Sequence, residues 1–198
     1  MTFIQTIPPD EASGPLKEMY DAELVSNGVV ENGVRAFSLR PFVFTAWKQL
    51  RDTVQSNMDL RRYELVTLAA AASLRCSYCT LAHGAILASK YFSAEQVEAM
   101  TRDYRTAGLE PAEVAMMAYA EKIVRNAYKV TPEDIDGLRA HGFSDTEILD
   151  IALVAAARSF LSKVTDAVGA EPDDWFMGLE PELRQTLTVG RPFGELSR

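Results

Sequence analysis

The chain has 198 residues, of which 47% are hydrophobic and 24% are charged, and its net charge is −8. This composition is ordinary for a folded globular protein and excludes a disordered one. A surface with so much negative charge repels a phosphate backbone, so we expect no nucleic-acid partner. The length suits one well-filled domain, or two small ones at most.

No targeting or membrane segment is expected. Residues 1–14 contain no basic stretch followed by an apolar core, so they do not resemble a signal peptide. The longest run of low polarity, residues 65–74, is about half as long as the roughly 20 residues of a membrane span. A reducing, cytoplasmic location is therefore the expectation, and there a close pair of thiols is more often redox-active or metal-bound than structural.

Apolar spacing and end signals predict helices in almost every segment. In chain order, the predicted helices begin at Ser13, Pro41, Asp59, Ser77, Ser93, Pro111, Thr131 and Ser144. Gly28 and Gly169 are well placed to end the first and the last of them. No alternating strand pattern is present. The sequence therefore predicts an all-α, multi-helix bundle that forms a single domain.

Helical spacing also predicts which apolar side chains face the core. On the helix that begins at Pro41, one face is formed by Phe44, Trp47, Leu50 and Val54. On the last long helix, Phe160 is expected to be buried as well.

Three regions differ in their pattern. Residues 1–34 form an N-terminal arm and helix, and residues 35–170 form the main helical domain. In residues 171–198, prolines and glycines interrupt the periodicity, yet the segment is too apolar to be a solvated tail. We expect this C-terminal extension to pack on the core or on a neighbouring subunit.

The only two cysteines, Cys76 and Cys79, are separated by two residues, and His83 follows four positions later. A disulfide that closes a ring of about four residues stabilises a fold by about 2 kcal/mol at most, so the pair is a poor structural staple. The spacing suits a thiol/disulfide couple or half of a metal site.

These three side chains share one face of a helix, because positions 76, 79 and 83 follow the i, i+3, i+7 pattern. The helix N-terminus favours a thiolate near Cys76, and His83 is placed to accept the proton of Cys79. Glu64 lies on the preceding helix and can orient the imidazole if the two helices pack antiparallel. Peroxide reduction needs such a set: one thiolate attacks the O–O bond, the second thiol forms a disulfide with it, and an external dithiol resets the pair.

The spacing of Glu64, Cys76, Cys79 and His83 resembles the signature of the alkylhydroperoxidase D-like branch of the carboxymuconolactone decarboxylase family. The similarity runs over residues 35–175 and includes Arg40-Pro41, Trp47 and the stretch 159–169. In this chain Ser77 and Tyr78 stand between the cysteines, where some members of the family carry a further histidine or acid. Decarboxylase members lack the cysteine pair, so lactone decarboxylation is disfavoured.

The resemblance implies an all-helical, homo-oligomeric peroxidase or disulfide reductase acting on hydroperoxides. It implies that Cys79 attacks the peroxide, that Cys76 resolves the product and donates a proton, and that His83 and Glu64 form the relay. The electron donor that it implies is a lipoyl-type dithiol or a thioredoxin-like protein. No cofactor is expected, since the chain has no glycine-rich phosphate loop.

Other interpretations stay open. The cysteines can be small buried apolar residues, or ligands of a zinc ion with His83 and Glu64. A non-catalytic redox-sensing module with a changing oligomer, or a homologue whose thiols do not turn over, is also compatible with the pattern. Ser159 and Lys163 are possible lining residues. His141 is expected to have a structural role at a helix end.

Overall fold

The computed structural model describes residues 2–193, and within them it contains helices and no strand. The α-helices are α1 (Gly14–Asn27), α2 (Asn32–Arg35), α3 (Pro41–Gln55), α4 (Leu60–Ser73), α5 (Ser77–Lys90), α6 (Ala94–Asp103), α7 (Pro111–Asn126), α8 (Pro132–Ala140), α9 (Asp145–Val168) and α10 (Pro181–Leu187). Short 3₁₀ turns occupy Pro9–Glu11, Tyr104–Thr106, Ala127–Lys129 and Asp174–Gly178. The predicted all-α fold is confirmed. Met1 of the predicted N-terminal arm and residues 194–198 of the predicted C-terminal extension lie outside the described residues.

The helix ends follow local signals. The Asp59 carboxylate accepts a hydrogen bond from the Arg62 amide at 3.1 Å, which caps α4. Ser93 and Ser144 form reciprocal capping boxes at the starts of α6 and α9. Gly169 ends α9 with a φ of 70°, in the left-handed region that glycine tolerates best.

Helix α4 lies at the centre of the bundle, packed against α5, α7 and α9. Its middle turns, residues 65–71, are almost completely buried and include three alanines. Small side chains let the neighbouring helices approach closely and exclude water. This central position carries Glu64 of α4 into the interior of the protein.

The buried apolar residues form two clusters, and the smaller one joins the N-terminal helices to the beginning of α5. Its members include Phe37, Phe44 and Trp47 as well as Cys76 and Cys79. The two cysteines therefore lie where the N-terminal helices meet the α4–α5–α9 core.

The C-terminal segment packs on the core as far as residue 193. Helix α10 contacts α5 and α6, and its Leu187 is fully buried. A Cβ atom at Gly84 of α5 would lie 2.3 Å from Leu187 Cδ2, so the glycine leaves room for the Leu187 side chain of α10 to pack on α5. Ser77 fixes the end of the segment, donating to the Arg191 carbonyl at 2.8 Å and accepting from the Gly190 amide at 2.9 Å.

Two core predictions were wrong. Leu50 on α3 is 51% exposed, and Phe160 on α9 is 42% exposed. Helices α3 and α9 pack side by side at the edge of the bundle, so these residues line an apolar groove of about 440 Å³ on the outer surface instead of the core.

Among residues 2–193, none of the helices is long and apolar enough to cross a membrane.

Candidate active site

The site begins at the tight connection between α4 and α5. Arg75 adopts a φ of 58° there, which reverses the chain between the two helices. Cys76 is the N-cap residue of α5, and Cys79 and His83 follow on its first two turns. The side chain of His83 meets Glu64 across the α4–α5 interface, with 2.5 Å between Nδ1 and Oε2. The antiparallel packing on which the predicted Glu64–His83 contact depended is therefore present.

The Glu64 carboxylate sets the proton positions on the His83 ring. Because a carboxylate accepts hydrogen bonds, it holds a proton on Nδ1 and leaves Nε2 as the basic nitrogen. Burial lowers the pKa of His83, and the nearby charge of Arg158 lowers it further, against the opposing effect of Glu64. The imidazole is therefore neutral near pH 7 and can accept a proton at Nε2.

A cavity of about 440 Å³ leads to the site, and Cys79, His83 and Arg158 lie on its wall. Both cysteines are free thiols. Of the two cysteines, Cys79 is part of the cavity wall that the described residues form and Cys76 is not; Cys76 is completely buried. Aromatic side chains form much of the remaining wall: Phe44, Trp47, Tyr63, Tyr78 and Trp175.

Arg158 of α9 is the main site residue that the sequence did not reveal. It is only 5% exposed, and its Nη1 lies 3.6 Å from Cys79 Sγ. An arginine inside an alanine-rich helix normally lies at the surface. The available signal was its helical register, since it shares a face with the buried Val154 and Leu161.

The two thiols have opposite proton affinities. A hydrogen bond from Cys76 is the main reason that the pKa of Cys79 lies well below its usual value; the charge of Arg158 and a hydrogen bond from Ser162 lower it further, against the opposing effect of burial. The same hydrogen bond, together with burial, raises the pKa of Cys76. The environment therefore favours a thiolate at Cys79 and a protonated thiol at Cys76.

Tyr78, between the two cysteines, anchors this part of α5. Its hydroxyl accepts a hydrogen bond from the Gly33 amide at 2.9 Å and donates one to Asp173 at 2.9 Å. The Asp173 carboxylate also accepts from the Asn32 amide at 2.9 Å. These bonds connect the first turn of α5 to α2 and to the C-terminal segment, which fixes the orientation of Cys79.

The α9 residues near the two sulfurs are not Ser159 and Lys163, the two that the sequence suggested. Lys163 is exposed and points away from the core. The buried Ser162 lies near enough to Cys79 to favour its thiolate, and Thr165 Oγ1 lies 3.7 Å from Cys76 Sγ. A zinc site finds no support, since among residues 2–193 no group of three or more His, Cys, Asp or Glu side chains is placed to hold a metal.

Comparisons with known proteins identify a family over part of the chain and a shared fold over most of it. The model of the carboxymuconolactone decarboxylase family matches residues 41–122, a range that contains Glu64, Cys76, Cys79 and His83. Arg158 lies outside the matched range. No curated protein matches the chain at a significant level.

Solved structures share the fold over nearly the whole chain. A protein from Ralstonia eutropha JMP134, described as an alkylhydroperoxidase AhpD core and an uncharacterized peroxidase-related protein, is 23% identical with a TM-score of 0.81 and covers 96% of this chain and 98% of its own. An uncharacterized peroxidase-related protein from Silicibacter sp. TM1040 is 22% identical, has a TM-score of 0.75 and covers 89% and 91%.

A third structure is that of the debrominase Bmp8 with a cysteine replaced by alanine, in complex with 2,3,4-tribromopyrrole. It is 18% identical, has a TM-score of 0.72 and covers 93% and 95%. The resemblance expected from the sequence is confirmed: residues 41–122 match the carboxymuconolactone decarboxylase family, and the chain has the fold of AhpD-like peroxidase-related proteins.

Proposed function

We propose that this protein is a thiol-dependent peroxidase or disulfide reductase that works through Cys79 and Cys76. The observation that carries the proposal is the arrangement of the two sulfurs. Cys79, whose pKa is lowered, lies on the wall of a cavity, and Cys76, whose pKa is raised, is completely buried one helical turn before it at the N-cap of α5. A thiolate is the form of cysteine that attacks peroxides, and a neighbouring thiol traps the product before it is oxidised further.

The reaction starts at the cavity. The Cys79 thiolate attacks the outer oxygen of the hydroperoxide, the O–O bond breaks, and Cys79 becomes a sulfenic acid. His83, held by Glu64, passes a proton from the cavity to the departing alkoxide, which leaves as the alcohol. Cys76 then attacks the Cys79 sulfur, so that a disulfide forms and water leaves.

An external dithiol restores the two thiols by thiol–disulfide exchange. Cys79 is only 1% exposed and Cys76 is fully buried, so the donor thiol has to enter the cavity. A slender lipoyl-type dithiol fits this requirement better than a thioredoxin-like protein, whose reactive sulfur belongs to a bulky surface. Turnover needs a compartment in which dithiols stay reduced, and the cytoplasm is the location that we propose.

The cavity favours an organic hydroperoxide over hydrogen peroxide. Its volume of about 440 Å³ is much larger than hydrogen peroxide needs, and aromatic rings form much of its wall. The structure of the debrominase Bmp8 in complex with 2,3,4-tribromopyrrole shows that a protein with this fold binds a small planar organic molecule. We therefore expect a higher kcat/KM for cumene hydroperoxide than for hydrogen peroxide.

Two cysteine variants test the proposal. Cys79→Ser abolishes peroxide consumption. Cys76→Ser allows a single oxidation and then stops, and Cys79 drifts to the sulfinic acid, which intact mass spectrometry detects. Wild-type peroxide consumption in both variants would overturn the proposal.

A redox-sensing module is the second candidate, because one residue connects the site to the outer surface. Trp47 lies on the wall of the cavity and also on the wall of the apolar groove between α3 and α9. An exposed apolar groove is typical of an interface, which supports the proposed homo-oligomer. A change of oligomer size on oxidation, without peroxide turnover, favours the sensor over the enzyme.

A further inference from the structure

Arg158 of α9 is a cation without a carboxylate partner. It is almost completely buried, and among residues 2–193 no Asp or Glu side chain forms an ion pair with it. Glu64, the buried carboxylate on the same cavity wall, is bonded to His83 instead. A guanidinium group stays charged in proteins, and burying a charge without a partner is strongly unfavourable. A residue of this kind indicates that an anion belongs beside it.

In the reduced protein, that anion is the Cys79 thiolate. Nη1 of Arg158 lies 3.6 Å from Cys79 Sγ, and both residues line the cavity. The contact leaves hydrogen-bonding capacity unused, because Arg158 Nε has no hydrogen-bond partner within the described part of the chain. Oxidation removes the negative charge, since neither sulfur of a Cys76–Cys79 disulfide is ionised, whereas Arg158 keeps its positive charge. The oxidised site therefore favours an anion that enters through the cavity.

The other charged residues on the cavity wall do not replace Arg158. Three of them are carboxylates that repel an anion: Glu23, Glu31 and Glu64. The second cation of the wall, Arg51, donates hydrogen bonds to the Asp52 carboxylate, at 2.8 Å from Nε. Among the described lining residues, the uncompensated positive charge of the oxidised protein is therefore at Arg158, beside the sulfur that the cavity reaches.

We propose that Arg158 binds the thiolate of the electron donor in the oxidised protein. The proposal rests on the proposed redox role of the cysteine pair, but not on peroxide as the oxidant. A disulfide is attacked by a thiolate and not by a neutral thiol. A buried cavity without a cation excludes a thiolate, because the negative charge would lose its hydration without gaining a partner. Arg158 supplies that partner at the sulfur which the donor attacks.

The reduction proceeds in two exchanges. The first thiolate of the donor dithiol attacks Cys79 Sγ from the cavity, and the Cys76–Cys79 bond breaks. Cys76, whose pKa is raised, leaves as a thiolate and takes up one proton, which balances the one that the first donor thiol released. The second donor thiol loses its proton to solvent, and its sulfur attacks the first donor sulfur. The donor disulfide forms, Cys79 is released as a thiolate beside Arg158, and two electrons have passed to the cysteine pair.

The size of the effect follows from the charge of the transition state. One negative charge is shared by three sulfurs, and the middle one, Cys79 Sγ, lies 3.6 Å from Arg158 Nη1. Even at a mean separation of about 7 Å and an effective dielectric constant of about 20, the attraction accelerates the step by about 50-fold. The comparison is with free donor in solution, so the second-order rate constant carries the whole effect.

The experiment measures the reductive step alone. The protein is oxidised with diamide, which forms the disulfide without peroxide, and is then mixed with excess dihydrolipoamide at pH 7. Samples are quenched in acid, alkylated with N-ethylmaleimide after unfolding and weighed by mass spectrometry. In Arg158→Met, the second-order rate constant falls by about 50-fold, whereas Arg158→Lys keeps most of the wild-type rate. Reduction of Arg158→Met at the wild-type rate would overturn the proposal.

A neutral reductant separates the charge of Arg158 from a structural role. Tris(hydroxymethyl)phosphine attacks a disulfide without being ionised, so it reduces Arg158→Met at the wild-type rate within about threefold. An equal loss of rate with both reductants would mean a damaged site and would overturn the proposal. Arg139→Met makes the same change at an exposed residue of α8 and leaves both rates unchanged. If Arg158→Met does not fold, as judged by circular dichroism, Arg158→Gln takes its place with the same expected result.

The two proposals fail in different ways. A wild-type protein that ignores peroxides, but whose diamide-formed disulfide is reduced about 50-fold faster than that of Arg158→Met, supports the role of Arg158 and removes the peroxidase activity. A wild-type protein that consumes peroxide at the expense of dihydrolipoamide, with no difference between the two disulfides, supports the peroxidase and overturns the role of Arg158.

Discussion

The Arg158 guanidinium is the charged group whose removal should change the pKa of Cys79 most clearly. Its Nη1 lies 3.6 Å from Cys79 Sγ in a buried environment. Two unit charges about 4 Å apart attract each other by about 4 kcal/mol where the effective dielectric constant is about 20. Since one pKa unit corresponds to about 1.4 kcal/mol, Arg158→Met should raise the pKa of Cys79 by about 3 units.

Thiolate absorbance measured against pH tests this expectation directly. Arg158→Lys is the matched control, because it retains a positive charge near the sulfur and should keep most of the lowered pKa of Cys79. The peroxide-reducing rate at pH 7 should fall in the methionine variant and recover at high pH, where the thiolate forms without help. A pKa of Cys79 that is the same in Arg158→Met and the wild type would refute the electrostatic reasoning.

Two further predictions concern stability. Burial lowers the pKa of His83, so unfolding takes up a proton and stability is lost as the pH falls below the unfolded value of about 6.5. The loss of folding stability approaches about 1.4 kcal/mol per pH unit, and His83→Gln should remove it. His141→Gln, at an exposed histidine, should show the same loss as the wild type. Thermal melts from pH 7.5 to 5 compare the two variants. Equal slopes in both variants would contradict the assignment. Gly84→Ala should destabilise the fold by about 1–3 kcal/mol, because its Cβ would lie 2.3 Å from Leu187 Cδ2. Gly137 of α8 is the control, because a Cβ atom there meets no atom within 4 Å, and Gly137→Ala should stabilise the fold by up to about 1 kcal/mol. Urea unfolding measures both variants. Equal changes in the free energy of unfolding at the two positions would rule out the close packing of α10 on α5.

The sequence predicted what depends on local signals. The capping boxes at Ser93 and Ser144 and the left-handed Gly169 act over a few residues, so the helix ends were predictable from the residues themselves. The meeting of Glu64 and His83 was also predictable, because it requires only that two consecutive helices pack antiparallel. Short sequence separation is the common feature of these successes.

The errors concern contacts between distant segments. Arg158 reaches Cys79 from 79 residues away, and its helical register indicates only that it lies on the buried face of α9, not which residue it contacts. Leu50 and Phe160 are spaced like core residues, yet they lie on the outer sides of two edge helices. Periodicity indicates that a face is apolar, but what covers that face is decided by the packing of the whole bundle.

The product of one reaction tests the central claim most directly. Reduced protein receives one equivalent of cumene hydroperoxide and is analysed by intact mass spectrometry and peptide mapping. The proposed function predicts a loss of two hydrogens and a Cys76–Cys79 disulfide, formed at neutral pH and reversed by dihydrolipoamide. Two unmodified thiols and unconsumed peroxide would contradict it.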